Sequence, residues 1–290
     1  MKPRILIQLD PDAHASVFDA VVAADSEVDH LLQYSNVRPE DVEGLVHGTM
    51  FTRGPTDLKN TAIFIGGNQV QAGEELLKQV RATFFGPMRV SVMLDANGAN
   101  TTAAAAVLSA ARHLELDAVQ ALVLGGTGPV GQRAARLLLG QGARVHLASR
   151  TRERAATACD AIASHVDAHD RLLPCQVDDD DSLHAALAGC QLVIAAGAAG
   201  VQLLPKQVRD ACPTLRLAID LNAVPPVGIE GIDVMDTARV DGDVTVYGAI
   251  GVGGTKMKIH KAALRKLFED NQQVLDAESI YAVGESMIAS

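Results

Sequence analysis

Short apolar runs alternate with helically spaced apolar residues along the first third of the chain. The runs Ile5–Leu9, Thr61–Ile65 and Arg89–Leu94 predict buried strands. Helices are expected after each of these regions, the first with Asp12 as its candidate N-cap and an apolar pattern of Val17, Phe18, Val21 and Val22. Residues 36–41 predict a second helix start, residues 48–60 a polar loop, and Leu76, Leu77 and Val80 a third helix. This alternation predicts an α/β layer.

The same alternation of strands and helices continues in the second part of the chain. An alanine-rich helix, Ala103–Leu114, is expected to connect the two parts, after which helices alternate with apolar strands. The predicted strands are Leu122–Leu124, Ala143–Ala148, Leu172–Gln176, Leu192–Ala196 and Leu215–Asp220. Strands that alternate with helices in this way predict a parallel, Rossmann-type sheet.

Composition adds limits to this picture. The 290 residues suffice for two domains, and 48% of them are hydrophobic. A formal net charge of -10 and an aromatic content of 3% argue against a basic, ring-lined surface for nucleic acids. No apolar run approaches the roughly eighteen residues of a membrane helix, so we expect a soluble cytoplasmic protein.

The cysteines and the acidic run offer little chemistry of their own. The four cysteines are dispersed without a C-x-x-C pattern, which disfavours metal and disulfide sites and predicts four buried small hydrophobic side chains: Cys159, Cys175, Cys190 and Cys212. Asp178–Asp181 is read as a solvated helix start, where acidic residues suit the helix dipole. We therefore expect no metal site.

A glycine motif carries the strongest chemical signal. Gly126, Gly128 and Gly131 follow an apolar strand, precede a helix and match G-x-G-x-x-G. Such glycines allow a tight turn and let a pyrophosphate approach the backbone at the helix N-terminus. The motif predicts a dinucleotide site. Gly197–Gly200, which follows a later strand, has only small side chains and would allow the nucleotide to pass close to the backbone.

The end of the next strand indicates which dinucleotide is bound. An NAD-specific site carries an acid about twenty residues beyond the glycine turn, whereas this chain has Ser149 followed by Arg150. An arginine there attracts a ribose phosphate, so NADP is favoured, and the small Ser149 leaves NAD as an alternative. A solvated, arginine-rich helix start is the competing interpretation, which fits Arg152 and Arg154 better than Arg150.

Three other polar segments are candidates for ligand contact, each with a structural alternative. Asp95–Thr102 is predicted as a polar loop at a strand end, although Asn100 or Thr101 could simply cap the following helix. Asp220 and Asn222 lie where a nicotinamide could bind, with a turn role as the competitor. Tyr247–His260 is predicted as a glycine-rich turn that places Lys256 and His260 on one helical face, with a surface lysine cluster as the alternative.

Several of these motifs together resemble one family along nearly the whole chain. The chain is similar to the NAD(P)-dependent methylene-tetrahydromethanopterin dehydrogenases of methylotrophic bacteria. The resemblance lies in Ser16–Asp19, Thr52–Gly54, Phe84–Pro87, Asp95, Asn97–Gly98, Asn100–Thr102, Thr127–Gly131, Pro225–Pro226, Gly231–Asp233 and Gly248–His260. It implies an α/β pterin-binding domain in residues 1–105, completed by C-terminal helices in residues 256–290, a Rossmann NAD(P)-binding domain in residues 106–255, and a cleft between them.

The implied reaction converts the methylene bridge of tetrahydromethanopterin to a methenyl cation, with hydride transfer to the nicotinamide of NADP or NAD. Two nitrogens flank the reacting carbon and delocalise the charge, so that catalysis needs chiefly the orientation of two rings. The resemblance thus implies a site without a general base, in one-carbon metabolism and formaldehyde oxidation. Use of either nucleotide with tetrahydromethanopterin is favoured by Ser149, and homo-oligomers are expected.

Site residues follow from the motifs and the resemblance. The cofactor-binding candidates are Gly126, Thr127, Gly128, Pro129, Val130, Gly131, Ser149, Arg150, Arg154, Ala196, Gly197, Ala198 and Asn222. The resemblance implies substrate binding by Phe18, Asp19, Asp95, Asn97, Asn100, Thr101, Thr102, Lys256 and His260, with Lys256 as the catalytic candidate. Two alternatives remain: a methylene-tetrahydrofolate dehydrogenase, whose Y-x-x-x-K pattern is not evident here, and a non-catalytic NADP-binding sensor.

Overall fold

The computed structural model describes residues 2–167 and 170–289, which form two compact units. One unit comprises residues 1–101 and 257–290, and the other comprises residues 102–256. The strands are β1 (Ile5–Leu9), β2 (His30–Tyr34), β3 (Thr61–Ile65), β4 (Ser91–Leu94), β5 (Gln120–Leu124), β6 (Arg144–Ser149), β7 (Leu172–Gln176), β8 (Leu192–Ala195), β9 (Leu217–Asp220), β10 (Arg239–Asp241), β11 (Val244–Tyr247) and β12 (Val274–Leu275).

The helices alternate with these strands, as the apolar spacing predicts. They are α1 (Val17–Ala24), α2 (Val42–Met50), α3 (Val70–Thr83), α4 (Ala99–Ala111), α5 (Pro129–Gly140), α6 (Arg152–Ala163), α7 (Asp180–Leu187), α8 (Lys206–Asp210), α9 (Ala249–Lys266) and α10 (Ala277–Ala289). Among the residues that the structure describes, no helix has both the length and the apolar character needed to cross a membrane.

The first unit contains a five-stranded sheet in the order β12-β4-β3-β1-β2. All of its strand pairs are parallel, and every residue of β3 and β4 is buried. Strands covered on both faces must be apolar throughout, which explains their continuous hydrophobic runs. Parallel pairing also brings the carboxyl ends of β1, β3 and β4 to one edge of the sheet, where ligands bind in open α/β sheets.

The second unit contains a seven-stranded sheet in the order β10-β11-β9-β8-β5-β6-β7. Its pairs are parallel except for the antiparallel β10–β11 pair at one edge. The strand order reverses on either side of β5, so a crevice is expected at the carboxyl ends of β5 and β8. The predicted α/β class, with a Rossmann-type sheet, is therefore confirmed.

The start of α1 differs from the prediction. Its N-cap is Ser16, whose hydroxyl accepts a hydrogen bond from the Asp19 amide, so the prediction of Asp12 is wrong. Asp12 instead accepts hydrogen bonds from the backbone and side-chain nitrogens of Asn68. The apolar pattern also does not mark a core face, because Val17 is 76% and Phe18 53% exposed. Apolar side chains are thus presented on the outside of α1.

The polar segment after β4 is mostly helical. α4 begins at Ala99, after a single 3₁₀ turn at Ala96–Gly98, so the prediction of a loop extending to Thr102 is wrong. Asp95 causes the early start, because its carboxylate accepts hydrogen bonds from the amides of Asn100 and Thr101. A cap of this kind satisfies donors that the first helical turn leaves unpaired.

The glycine-rich segment before Lys256 is also helical, which corrects the prediction of a turn. α9 begins at Ala249, and Gly251 lies in its first turn. A β-carbon at Gly251 would overlap the backbone oxygen of Asp236, and one at Gly248 would overlap that of Asp233. These glycines therefore let α9 lie directly on the loop that precedes β10. Close packing explains them, not turn geometry.

The Asp236 carboxylate fixes that loop. It receives two hydrogen bonds from Arg239, at 2.7 and 2.8 Å, and one from the Asp233 amide. The Arg239 hydrogen bonds hold the pKa of Asp236 below its usual value. An acid with a lowered folded-state pKa stabilises the fold fully above its unfolded pKa of about 4 and loses that contribution as the pH falls through the folded pKa.

We therefore expect Asp236→Asn to lower the free energy of unfolding at pH 7 by about 1 kcal/mol, a small value because Arg239 is partly exposed. The difference from the wild type should shrink as the pH falls to 3, because the wild-type carboxyl is then largely protonated in the unfolded state, whose pKa is about 4. Urea unfolding at both pH values measures this. Asp243→Asn, which alters an exposed acid on the adjacent turn, is the control, and an equal loss in that variant would contradict the assignment.

The cysteine prediction is only half right. All four cysteines are free, but only Cys159 and Cys190 are buried, whereas Cys175 and Cys212 are half-buried. Burial raises the pKa of both buried thiols to about 11. These two thiols are protonated at neutral pH and act as small hydrophobic groups. Cys175 lies in the edge strand β7 and Cys212 in the loop after α8, which accounts for their exposure.

Candidate functional site

A groove of about 460 Å³ lies in the second unit, beside the glycine turn. Residues from the ends of β5, β6 and β8 and from the start of α5 surround it. The lining residues are Leu124, Gly125, Thr127, Gly128, Pro129, Ala148, Ser149, Arg150, Arg154, Val177, Ala196, Gly197, Ala198, Val201 and Leu203. Nine of the predicted cofactor-binding residues thus come together: Thr127, Gly128, Pro129, Ser149, Arg150, Arg154, Ala196, Gly197 and Ala198.

The glycines of the turn have separate structural reasons. Gly128 is the N-cap of α5, and a β-carbon there would meet only ordinary contacts, so its backbone remains open to the groove. A β-carbon at Gly126 would approach Leu147 to 2.6 Å, and one at Gly131 would approach the Gly125 oxygen to 2.8 Å. Gly126 and Gly131 therefore permit close packing and do not line the groove themselves.

Gly125 was missed by the sequence prediction. Its φ of +66° lies in the left-handed region, and a β-carbon would collide with the backbone of Gly197. Contact between the ends of β5 and β8 therefore requires glycine at position 125. The available signal was the pair Gly125-Gly126 in the sequence, but the G-x-G-x-x-G motif begins at Gly126 and assigns no role to Gly125.

Two cations stand at the rim of the groove. Arg150 directly follows β6, and Arg154 lies in the first turn of α6, where Thr151 is the N-cap. Both side chains are exposed, and within residues 2–167 and 170–289 no carboxylate lies within ion-pair distance of either guanidinium group. Both charges are therefore available to an anionic group on a ligand.

Asn222, a predicted cofactor-binding residue, does not line the groove. Its side chain donates to the Pro226 oxygen and accepts from the Val224 amide, so it organises the loop after β9. Asp220 accepts hydrogen bonds from the amides of Asn222 and Ile229, and burial raises its pKa. These contacts are those of a turn. Val130, like Asn222, is absent from the groove lining.

Polar residues gather at the carboxyl end of β4 in the first unit. The Asp95 carboxylate accepts from the Thr101 hydroxyl at 2.6 Å, and Asn100 Nδ2 donates to the Leu94 oxygen. All three side chains are buried. Asn97 differs, because it is exposed and has a left-handed φ of +54°. The first three residues thus form a hydrogen-bonded base, and Asn97 is exposed beside it.

An aromatic stack joins this base. His260 of α9 is 1% exposed and stacks on Phe64 with ring centroids 5.7 Å apart. The ring centroid of Phe18 lies 6.5 Å from that of His260, and Asp95 Oδ2 lies 3.9 Å from His260 Nδ1. Asp19 lies beside the stack, since a β-carbon at Gly66 would be 2.9 Å from Asp19 Oδ2 and 3.1 Å from Phe64 Cε1. Six predicted substrate residues therefore belong to one cluster: Phe18, Asp19, Asp95, Asn100, Thr101 and His260. Thr102 and Lys256 are the two end residues of the other unit.

A second cavity of about 420 Å³ lies in the first unit beside β2 and α2, and no predicted ligand residue lines it. Arg53, which does line it, donates to the backbone oxygens of Asn60 and Pro3 and so holds the chain locally. Within the described ranges no group of His, Cys, Asp or Glu side chains is arranged to hold a metal ion. The glycine-turn groove and the polar cluster remain as the candidate sites.

The strand order and the groove define a Rossmann-type nucleotide-binding protein. Comparison with known proteins agrees, since residues 121–221 match the NAD dependent epimerase/dehydratase family. Residues 17–97 match the methylene-tetrahydromethanopterin dehydrogenase N-terminal family. A solved structure, a chorismate mutase/shikimate 5-dehydrogenase fusion protein from Clostridium acetobutylicum, is similar over 100% of both chains with a TM-score of 0.55 and 12% identity, which supports the fold alone.

Two curated relatives come from Methylorubrum extorquens. One, the "Bifunctional protein MdtA", is 42% identical over 99% of this chain and 100% of its own. The other, the "NAD(P)-dependent methylenetetrahydromethanopterin dehydrogenase", is 32% identical over 97% of both chains. The chain therefore belongs to the methylene-tetrahydromethanopterin dehydrogenase family, as the resemblance in its motifs predicts.

Proposed function

We propose that the chain oxidises methylene-tetrahydromethanopterin to methenyl-tetrahydromethanopterin and passes the hydride to NADP or NAD. The observation that carries the proposal is the end-to-end identity of 32% with a relative named for this activity. In a cell, such a reaction would belong to one-carbon metabolism and to formaldehyde oxidation during methylotrophic growth. We also propose that it acts in the cytoplasm as a homo-oligomer.

The residues of the groove fit a phosphorylated dinucleotide. The first turn of α5 offers backbone amides to a pyrophosphate, and Gly128 leaves room for its approach. Arg150 and Arg154 supply the charge that a ribose phosphate requires, while Ser149 does not exclude a bare ribose. When bound, the dinucleotide supplies the nicotinamide that receives the hydride. The chain binds and orients it.

The polar cluster fits the second reactant. Phe18 is 53% exposed and offers aromatic surface to a flat heterocycle, while the buried rings of His260 and Phe64 pack beneath this region. Asp19 and Asn97 offer hydrogen-bonding groups. Asp95, Asn100 and Thr101 act by fixing the start of α4. A methenyl cation is stabilised by its own neighbouring nitrogens, so a site that orients rings without a strong base is sufficient.

We expect Lys256→Ala to lower kcat for methylene-tetrahydromethanopterin about tenfold, because a charged hydrogen bond that orients the pterin is lost. Lys258→Ala is the matched control, since Lys258 is exposed and two residues further along α9, away from that helical face. Steady-state kinetics and a thermal melt of each variant make the test. Unchanged turnover in Lys256→Ala would remove this residue from the site.

A direct assay separates the three functional interpretations. The protein is mixed with NADP or NAD and with methylene-tetrahydromethanopterin or methylene-tetrahydrofolate, and the absorbance of the reduced nicotinamide is followed. We expect reduction with the methanopterin substrate. Reduction with the folate alone would favour a folate enzyme, and binding of NADP without any reduction would favour a sensor. Light scattering on the same preparation measures the number of subunits.

A further inference from the structure

Gln8 is a buried amide in the middle of an apolar strand. It is 1% exposed and belongs to β1, where it pairs across the sheet with Gln33 on one side and Phe64 on the other. Residues in one such row point to the same face of a parallel sheet. The row therefore places Gln8 beside Phe64, the ring on which His260 stacks.

The orientation of the Gln8 amide follows from its neighbours. Gln33 Nε2 donates to Gln8 Oε1 at 3.0 Å and also to the Ser16 backbone oxygen at 3.4 Å. A backbone oxygen only accepts, so the atom of Gln33 that faces it must be nitrogen, and the atom of Gln8 that faces Gln33 must be oxygen. The remaining atom of the Gln8 amide is therefore its donor, Nε2.

This donor has no acceptor in the part of the chain that the structure describes. Buried donors are almost always hydrogen-bonded, because an unpaired one costs the free energy of its lost hydration. An apolar side chain would suit this buried strand position. Gln8 instead carries an amide of which only the oxygen is hydrogen-bonded. The missing acceptor is then to be sought in what binds beside it.

The groups around Nε2 include the carboxylate of Asp19 and the ring of Phe64. A β-carbon added at Gly66 would stand 3.6 Å from Gln8 Nε2, 2.9 Å from Asp19 Oδ2 and 3.1 Å from Phe64 Cε1. The amide donor, a carboxylate acceptor and an aromatic edge thus surround one glycine. Gly66 directly follows β3, at the sheet edge where ligands bind in α/β folds.

We propose that Gln8 and Asp19 form a donor and acceptor pair that recognises the pyrimidinone edge of the reduced pterin. This edge carries a ring carbonyl next to an N–H group and an amino group. Gln8 Nε2 donates to the carbonyl, and the Asp19 carboxylate accepts from the two nitrogen donors. The inference rests on the proposed function, and it adds Gln8 to the site as a substrate-binding residue.

The test compares Gln8→Met with Gln33→Met. Methionine preserves the length of the side chain and removes the amide, while Gln33→Met removes the hydrogen bond to Gln8 but leaves its Nε2. We expect Gln8→Met to weaken tetrahydromethanopterin binding in calorimetry, and to raise the KM of the methylene substrate, about tenfold. Its kcat should stay within about twofold and its NADP affinity unchanged, because the lost contact binds ground and transition states equally. Gln33→Met should weaken pterin binding much less than Gln8→Met does, because the donor Nε2 is still present.

Wild-type affinity in Gln8→Met, or equal losses in both variants, would overturn the inference in favour of a packing role, while wild-type turnover would leave the proposed function intact. A wild-type protein that neither binds nor oxidises the pterin would overturn both. If Gln8→Met does not fold, a crystal structure of the wild type with tetrahydromethanopterin decides. We expect the ring carbonyl within hydrogen-bonding distance of Gln8 Nε2, and a water molecule in its place would contradict the inference.

Discussion

Replacing Arg150 by alanine is expected to raise the KM for NADP about 10- to 100-fold, while the KM for NAD changes by no more than about threefold. The two nucleotides differ by one ribose phosphate, and Arg150 lies at the groove rim directly after β6, where a Rossmann site recognises the ribose. Its guanidinium has no carboxylate partner among the described residues, so its full charge is available to the phosphate.

Arg152→Ala is the matched control for this prediction. Arg152 is exposed, begins α6 and does not line the groove, so its removal changes the net charge equally without a local contact. Steady-state kinetics measure the KM for NADP and for NAD in each of the two variants. Low ionic strength is used because salt screens exposed charges. Equal effects of Arg150→Ala on NADP and NAD would show that Arg150 does not bind the phosphate.

The variant Gly251→Ala is expected to lose about 3 kcal/mol of stability, close to the upper range for overpacked sites. A β-carbon there would overlap the Asp236 oxygen and approach the Asp236 carbonyl carbon to 2.7 Å, and the backbone cannot yield as a side chain can. For a unit of this size the expected fall in Tm is roughly 6–12 °C. The start of α9 would have to move away from the loop.

Gly254→Ala is the control, and it is expected to raise the stability, whereas Gly251→Ala lowers it. It lies one turn further along the same helix, and a β-carbon there would have no neighbour within 4 Å. Because alanine favours helix more than glycine does, this variant should gain about 0.5–1 kcal/mol. Thermal melts of the two variants therefore separate packing from helix propensity. A harmless Gly251→Ala would show that α9 does not lie on the loop before β10.

The buried strands were the most predictable part of the fold. The apolar runs of β1 and β3 predicted the bounds of these strands to the residue, because strands covered on both faces form nearly continuous apolar runs. The bounds of β7 were also predicted, although β7 is an edge strand in which only Leu172 is buried. The edge strands β2, β10 and β12 were not predicted. Their side chains are mostly exposed or few in number, so no hydrophobic pattern distinguishes them from loops.

Helix starts were harder to predict, since they depend on contacts remote in sequence. The glycines before Lys256 have low helix propensity, yet they are helical because Gly248 and Gly251 must fit against the loop of Asp233 and Asp236. Tertiary packing overrides propensity here. Ser16, not Asp12, caps α1 for a similar reason, because Asp12 is committed to Asn68.

The glycine-turn groove could be predicted in large part, and the polar cluster only through the family resemblance. G-x-G-x-x-G has a mechanism that fixes its geometry, so Gly128 and the strand-end residues Ser149 and Arg150 follow from spacing. No local pattern indicates that Gln8 lies near Asp19, because only the tertiary fold brings β1 and α1 together beside Gly66. A single amide in an apolar strand was the available signal.

Transfer of isotope from the pterin to the nicotinamide tests the proposed reaction most directly. The protein is given NADP and methylene-tetrahydromethanopterin in which both hydrogens of the methylene bridge are deuterium, in ordinary water, and the reduced nucleotide is analysed by mass spectrometry. Direct hydride transfer predicts one deuterium in each reduced nucleotide molecule. Reduced nucleotide that carries only solvent hydrogen, or no reduced nucleotide at all, would contradict it.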